Sequence, residues 1–188
     1  MDKSSAARLA EVHPELAKKS ATLIYVCALL GLDIRVVQGR RTREEQTKLY
    51  NQPRDGKDND GDGRIDEADE KVTNAKAGQS NHNYGLGVDF CPFKLNKPDW
   101  NDLGAFAIIG REAKKLGLEW GGDWKFKDRP HVQLRGIGIK ECQVHYAKGG
   151  IKAVWARMDA ILKDAPKIEF IPTADEIIEE GDTGAFVG

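Results

Sequence analysis

Between residues 80 and 91 the chain reads Ser-Asn-His-Asn-Tyr-Gly-Leu-Gly-Val-Asp-Phe-Cys. It sets an imidazole, His82, and a carboxylate, Asp89, seven residues apart with two glycines between them, and it runs directly into an apolar strand over Leu86–Phe90. A fold that contains this strand has to accommodate two chemistry-bearing side chains at its entrance. A second imidazole follows at Lys127-Asp128-Arg129-Pro130-His131-Val132. A catalytic zinc site takes three protein ligands from His, Asp or Glu and keeps one position for water, whose pKa the metal lowers towards neutrality. His82, Asp89 and His131 would supply that set. Pro130 implies a bend that would carry the Asp128 carboxylate beside the metal-bound water as a general base. Cys91, two residues beyond Asp89, shares its strand face and is expected to pack in the core, as buried cysteines commonly do.

The flanking pattern predicts an α+β domain with helices at both ends and strands between. Ser4 and Ser5 are expected to cap a short first helix, and Pro14 to open a second that runs over Glu15–Leu30 and stops at Gly31. Ile34–Val37 reads as a strand. Thr42 followed by Glu45 is a capping box for a helix over Glu44–Tyr50, which Pro53 ends. Further on come a helix over Asp102–Leu116, a strand over Pro130–Leu134, and two closing helices, Ile139–Tyr146 and Ile151–Leu162, divided by Gly149 and Gly150.

With 188 residues, 40% of them hydrophobic and 31% charged, the chain can build one core without disulfide or metal staples. Its longest apolar stretch, Ala21–Leu32, is too short to cross a bilayer, and the N-terminus lacks the apolar centre of a secretory signal. Synthesis in the cytoplasm is therefore expected, and the three widely spaced cysteines fit a reducing compartment. The net charge of −1 excludes a strongly basic nucleic-acid binder, and no membrane insertion is expected. That sum hides an acidic tail. Residues 165–188 hold six acids against Lys167, about −5, leaving 1–164 at about +4. The expected organisation is a catalytic domain over 1–164 and a flexible acidic appendage over 165–188.

The motif SxHxxGxxxD followed by DxxH resembles the zinc metallopeptidases of the D-alanyl-D-alanine carboxypeptidase superfamily, which share a fold with the Hedgehog signalling domain. TNAKAGQSNHNYGLGVDFC, EWGGDWKFKDRPHVQL and the upstream VVQGRRTREEQTKLY are similar to the L-alanyl-D-glutamate peptidases of phage endolysins and bacterial autolysins. The resemblance covers roughly Leu23–Leu134. It implies a small antiparallel sheet with helices packed around it, and a zinc endopeptidase acting on peptidoglycan stem peptides. It implies His82, Asp89 and His131 as zinc ligands and Asp128 as catalytic acid/base. Arg41 matches the arginine that contacts the scissile carbonyl oxygen, and Ser80 a residue that supports a ligand by hydrogen bonding. Two positions depart from the family words: Val132-Gln133-Leu134 replaces Phe-Glu-Leu, and Arg40 stands where an aromatic residue is usual. An endolysin made without a signal reaches the wall through a separate pore-forming protein, and a monomer is expected.

Residues 55–70 carry eight acids against Lys57 and Arg64, about −6, a density that asks for cations or solvent. From Asp58 the segment fits an EF-hand-like calcium loop, with Asp58, Asp60, Asp62, Arg64 (through its carbonyl), Asp66 and Asp69 as ligands and Gly61 at the turn. Asp69 stands where the bidentate Glu is usual, and Glu70 falls one residue late. A solvated acidic loop is the alternative. Calcium here is expected to tune activity or stability while zinc does the chemistry. Trp120 and Trp124 are equally readable as cleft lining or core, and Asp123 as orienting a histidine or closing a turn. His13, before Pro14, is expected to cap a helix or lie exposed. The rival functions are a D-alanyl-D-alanine carboxypeptidase and a non-catalytic, calcium-dependent wall-binding module.

Overall fold

The computed structural model describes residues 1–165, so the acidic appendage expected from 165 onwards lies, but for its first residue, outside the described residues. Helix α1, Lys3–Leu9, starts where Asp2 accepts a hydrogen bond from the Ser5 amide at 3.0 Å. The expected serine cap is thus displaced: Ser5 is buried inside the helix, and its Oγ accepts from the Val36 amide at 2.9 Å. Helix α2, Pro14–Leu29, is capped by His13, whose Nδ1 accepts from the Glu15 amide at 3.2 Å. Gly31, at φ +76°, then turns the chain into strand β1, Ile34–Gln38. Helix α3, Arg43–Asn51, carries the full capping box, Thr42 with Glu45.

The sheet is antiparallel throughout. Strands β2 (Gly87–Lys94), β3 (Lys97–Pro98), β4 (Glu119–Trp120) and β5 (His131–Gln133) join β1 in the order β1-β2-β5-β4, with β3 hairpinned onto β2. Strand β4 was not expected from the sequence; it is two residues long, too short for an alternation pattern. Register places Asp89 directly opposite His131 on the β2–β5 ladder. Helix α4, Leu103–Lys115, packs against α2, and Leu23, Cys27, Ile34, Phe90, Ile109 and Leu118 join one continuous core. Cys91 is buried in it, and burial pushes its thiol up to about 11.

The two closing helices form one kinked element, α5, Ile139–Asp164. Gly149 and Gly150 have non-helical dihedrals inside it, Gly150 at φ +64°, so the two glycines divide two helical segments at the kink, as expected from the sequence. Beyond the kink, Trp155 Nε1 donates to the Tyr84 carbonyl at 2.7 Å, while the His13 amide donates to the Gly85 carbonyl at 2.8 Å. The residue that caps α2 and the second half of α5 therefore clamp the turn that carries His82.

His13 is a buried cap, 1% exposed, with Nε2 3.3 Å from Asp159 on α5. Burial lowers its pKa, a shift that the charge of Asp159 opposes without reversing. Below the ordinary histidine pKa of about 6.5, the unfolded chain then binds a proton that the folded one resists. Stability falls as pH drops through that value, down to the depressed folded pKa. A His13→Asn variant keeps a capping side chain and removes the titration. Its melting temperature should fall less between pH 7 and 5 than that of the unsubstituted protein, as measured by circular dichroism; equal slopes would discount His13 as an acid-sensitive clamp.

Candidate metal centre

His82 lies in a single 3-10 turn, Asn81–Tyr84, that Ser80 opens and Gly85 closes. Ser80 Oγ accepts from the His82 amide at 3.3 Å, so Ser80 supports His82 through its backbone. Gly85 sits at φ +63°, a left-handed conformation that glycine adopts without penalty. The His82 carbonyl accepts from the Arg41 amide at 2.9 Å, and His82 Nδ1 lies 2.8 Å from the Gly39 carbonyl. At the other end of the motif, a Cβ on Gly87 would lie 2.7 Å from Cε1 of His131. The second glycine thus leaves room for an imidazole packed against the strand.

Three ligand-type atoms converge at the sheet. His82 Nε2 is 3.1 Å from Asp89 Oδ1 and 3.1 Å from His131 Nδ1, and His131 Nδ1 is 3.0 Å from Asp89 Oδ1. Hydrogen-bond partners fix the tautomers. Because Gly39 offers only a carbonyl, Nδ1 of His82 carries the proton and Nε2 is a lone pair. His131 Nε2, 3.0 Å from Gln133 Oε1, likewise carries its proton, which leaves Nδ1 unprotonated. Two imidazole lone pairs and a carboxylate oxygen therefore face one another among residues 4% and 5% exposed at the histidines. Three acceptors with no hydrogen to share repel, so the site requires a cation: a metal ion or a captured proton. Among the described residues this trio is one of two groups arranged to hold a metal. Burial opposes ionisation of Asp89, but the adjacent histidines outweigh it and hold the carboxyl far below its usual range. Burial also disfavours protonated His131, yet the bond and charge from Asp89 raise its pKa overall.

Asp128 stands on the bend before β5. Its amide donates to the Gly121 carbonyl at 2.9 Å, its carbonyl accepts from the His131 amide at 3.2 Å, and the next carbonyl but one, on Pro130, accepts from Phe90 at 2.9 Å. Burial raises the Asp128 pKa; the charge of Asp89 adds to this, while His131, His82 and Arg41 oppose it. Arg41 is held by a 2.8 Å bond from Nη1 to Gln46 Oε1, and its Nε is buried with no partner among the described residues. Burial lowers the Arg41 pKa, against the charges of Asp89, Glu45 and Asp128. One guanidinium edge is thereby fixed and another donor is left over.

The remaining residues singled out in the sequence divide. Trp120 is a wedge, because Cβ atoms on Gly110 or Gly122 would lie 2.1 and 2.2 Å from its ring, and its Nε1 donates to the Arg129 carbonyl at 2.7 Å. It holds the Asp128 bend against α4. Trp124 lies beside the centre, its ring 5.3 Å from that of His131, with Nε1 donating to Glu119 Oε1 at 2.6 Å. Asp123 orients no histidine: its carboxylate pairs with Lys114 at 2.9 Å on the surface. The sequence reading missed Glu119, Gln46 and Asn83, and named Gln133 only as a departure from the family words. Gln133 was traceable as the residue two beyond His131 on one strand, hence on the same face. Gln46 lies within the capped helix one turn past Thr42, whereas nothing local marks Glu119.

The acidic loop differs from its template. Asp58 accepts from the amides of Gly61 and Gly63 at 2.6 and 2.9 Å, Asp60 from Asp62, and Asp62 from Arg64. The cluster with ligand atoms within 4.8 Å of one another is Asp58, Asp60 and Glu70; Asp62, Asp66 and Asp69 lie outside it. Glu70, 3% exposed, turns inward to accept from the amides of Asn59 and Glu67 at 2.7 and 3.0 Å, so it occupies the place expected of Asp69. Asp66 instead accepts from Gly56 at 2.8 Å, from a left-handed backbone at φ +58°. No helix follows the loop, so the helix-loop-helix of an EF-hand is absent.

Comparison with known proteins adds a lineage to this geometry. The sequence profile of the D-alanyl-D-alanine carboxypeptidase family matches residues 73–134. The peptidoglycan L-alanyl-D-glutamate endopeptidase CwlK of Bacillus subtilis (strain 168) is 35% identical over 137 residues, covering 66% of this chain and 74% of CwlK. The L-alanyl-D-glutamate peptidase of Escherichia phage T5 is 30% identical over 144 residues, covering 71% of this chain and 87% of the phage protein. Among solved structures, the Serratia marcescens L-Ala D-Glu endopeptidase ChiX shares the fold with a TM-score of 0.51 at 24% identity, over 72% of this chain and 89% of ChiX.

Proposed function

The chain belongs to the D-alanyl-D-alanine carboxypeptidase family of metallopeptidases, alongside its L-alanyl-D-glutamate endopeptidases, and we propose that it hydrolyses the bond between L-alanine and D-glutamate in peptidoglycan stem peptides. It is a peptidoglycan hydrolase, and its site of action is the cell wall. The two curated relatives named above are both L-alanyl-D-glutamate peptidases, which favours that bond over D-alanyl-D-alanine. The complete set His82, Asp89, Asp128 and His131 speaks against a purely binding role. One observation carries the metal assignment, namely the convergence of His82 Nε2, His131 Nδ1 and Asp89 Oδ1 at 3.0–3.1 Å from one another. Two imidazoles and one carboxylate suit zinc better than a hard cation such as magnesium or calcium, which prefers an all-oxygen shell.

Zinc held by His82, Asp89 and His131 supplies Lewis acidity, which acidifies water and polarises the scissile carbonyl. Asp128 removes a proton from the attacking water as its oxygen bonds to the carbonyl carbon. Burial keeps this carboxyl basic enough to hold that proton, which it then delivers to the amide nitrogen as the carbon–nitrogen bond breaks. Arg41 donates to the oxygen that gains negative charge, its guanidinium oriented by the bond from Nη1 to Gln46 Oε1. The products are a peptide acid ending in L-alanine and an amine beginning with D-glutamate. Mass spectrometry of purified peptidoglycan digested by zinc-loaded protein should reveal peptides with N-terminal D-Glu. Asp128→Asn should keep its zinc and lose about 10²- to 10⁴-fold in turnover. Release of terminal D-Ala instead would reassign the bond, and full activity in the zinc-loaded Asp128 variant would remove Asp128 from the mechanism.

We further propose that the acidic loop takes calcium through Asp58, Asp60 and Glu70. Support comes from the convergence of these three carboxylates, of which Glu70 is buried and Asp58 and Asp60 are exposed, beside the left-handed Gly61. Asn83 and Gln46 link the segment after the loop to the catalytic residues. Asn83 accepts from Gly78 at 2.9 Å and donates to the Arg41 carbonyl at 3.1 Å, and Gln46 Nε2 donates to the Ala75 carbonyl at 2.7 Å. Millimolar calcium should raise the melting temperature of the zinc-loaded protein, and Asp60→Asn should abolish the rise; an unchanged melting temperature would leave a solvated loop.

A further inference from the structure

Around His131 lies a polar chain that the mechanism above does not use. Gln133 Oε1 accepts from His131 Nε2 at 3.0 Å and also from Asn81 Nδ2. Its Nε2 donates to Glu119 Oε2 at 3.1 Å, and the other oxygen of Glu119 accepts from Trp124 Nε1 at 2.6 Å. Asn81 of the His82 turn, Glu119 of β4, Gln133 of β5 and Trp124 before the Asp128 bend thus form one chain that ends at His131 Nε2. The amide cannot be reversed. Turning Gln133 over would point its NH2 at two donors and its oxygen at the Glu119 carboxylate. The direction of every bond in the chain therefore follows from one charge, that of Glu119.

We infer that Gln133 and Glu119 form a matched pair whose role is to position His131, holding the proton on Nε2 so that Nδ1 is free for the metal. Ligand histidines generally give their second N–H to a carboxylate or carbonyl, which sets ring orientation and basicity. Here the acceptor is a neutral amide, and the carboxylate stands one residue further out. The consequence is specific to this sequence. A glutamate at 133 would accept from His131 and Asn81 equally well, but its second oxygen would face Glu119 at the present 3.1 Å contact. Two carboxylates there repel. Glutamate at 133 is therefore compatible only with a donor at 119. Exchanging the two residues restores every bond: Gln at 119 would donate to Glu at 133 and still accept from Trp124. Trp124 is a positioning residue at the far end of the same chain.

This inference rests on zinc binding at His82, Asp89 and His131, and the test separates the two. Zinc affinity of the full chain is measured by competition with a chromophoric chelator, with thermal melts of the metal-free proteins to show that each variant is folded. Gln133→Leu should weaken zinc binding by about 10- to 100-fold. Glu119→Gln and Gln133→Glu should each weaken it, and the double variant Glu119→Gln/Gln133→Glu should bind more tightly than either single one. Recovery in the double variant is a result that lost packing alone would not give. Wild-type affinity in Gln133→Leu, or a double variant no better than its singles, would overturn the matched pair while leaving the zinc site in place. Zinc binding by the parent protein no tighter than by His82→Ala would overturn both.

Discussion

Two imidazole nitrogens of buried histidines and a carboxylate oxygen lie within about 3 Å of each other, and because both second ring nitrogens face acceptors, that arrangement calls for a cation between them. Much of the surrounding architecture can be understood as holding that arrangement. Antiparallel register places Asp89 across from His131. The 3-10 turn between Ser80 and Gly85 swings His82 back over the same point, and its carbonyl and ring are pinned to Arg41 and Gly39 just beyond β1. His13 before α2 and Trp155 on α5 both bond to that turn. A cation turns repulsion into cohesion, so metal binding and stability of this region should be linked, as is general for sites whose ligands are brought together only by folding.

The second organising contact is Gln46. Fully buried in α3, it bonds Arg41 with its oxygen and the Thr73–Ala75 segment with its amide. A residue proposed to face the reacting carbonyl and the end of the acidic loop therefore share one side chain. Asn83 makes a parallel link from the His82 turn to the Arg41 carbonyl and the Gly78 amide. Through these two amides the segment 73–78, which follows the acidic loop, is tied to Arg41.

How much of this was legible in the sequence follows physical lines. Helix starts with local chemistry could be read directly: Thr42 with Glu45, and Pro14 behind His13. The first cap was misread because Asp2, two residues earlier than Ser4, is the better acceptor, and because Ser5 is drawn inward by the Val36 amide, a partner 31 residues away. The residues that converge at the centre were readable because their spacing and neighbours resemble a known family. The residues that orient them were not. Glu119 reaches Gln133 only across the β4–β5 ladder, and β4 has no periodicity to announce it. In the acidic loop Glu70 rather than Asp69 joins Asp58 and Asp60, and the backbone passes through a left-handed residue at Asp66, neither of which a position count reveals.

The central claim is that the trio is a zinc site whose tautomers are set from outside by Gly39 and Gln133. Anomalous diffraction from crystals of the zinc-loaded protein tests it most directly. The account predicts one peak at about 2.0–2.2 Å from His82 Nε2, His131 Nδ1 and an Asp89 oxygen, with a further position open. A peak bound through His82 Nδ1 or His131 Nε2, or no peak between the three residues, would contradict it.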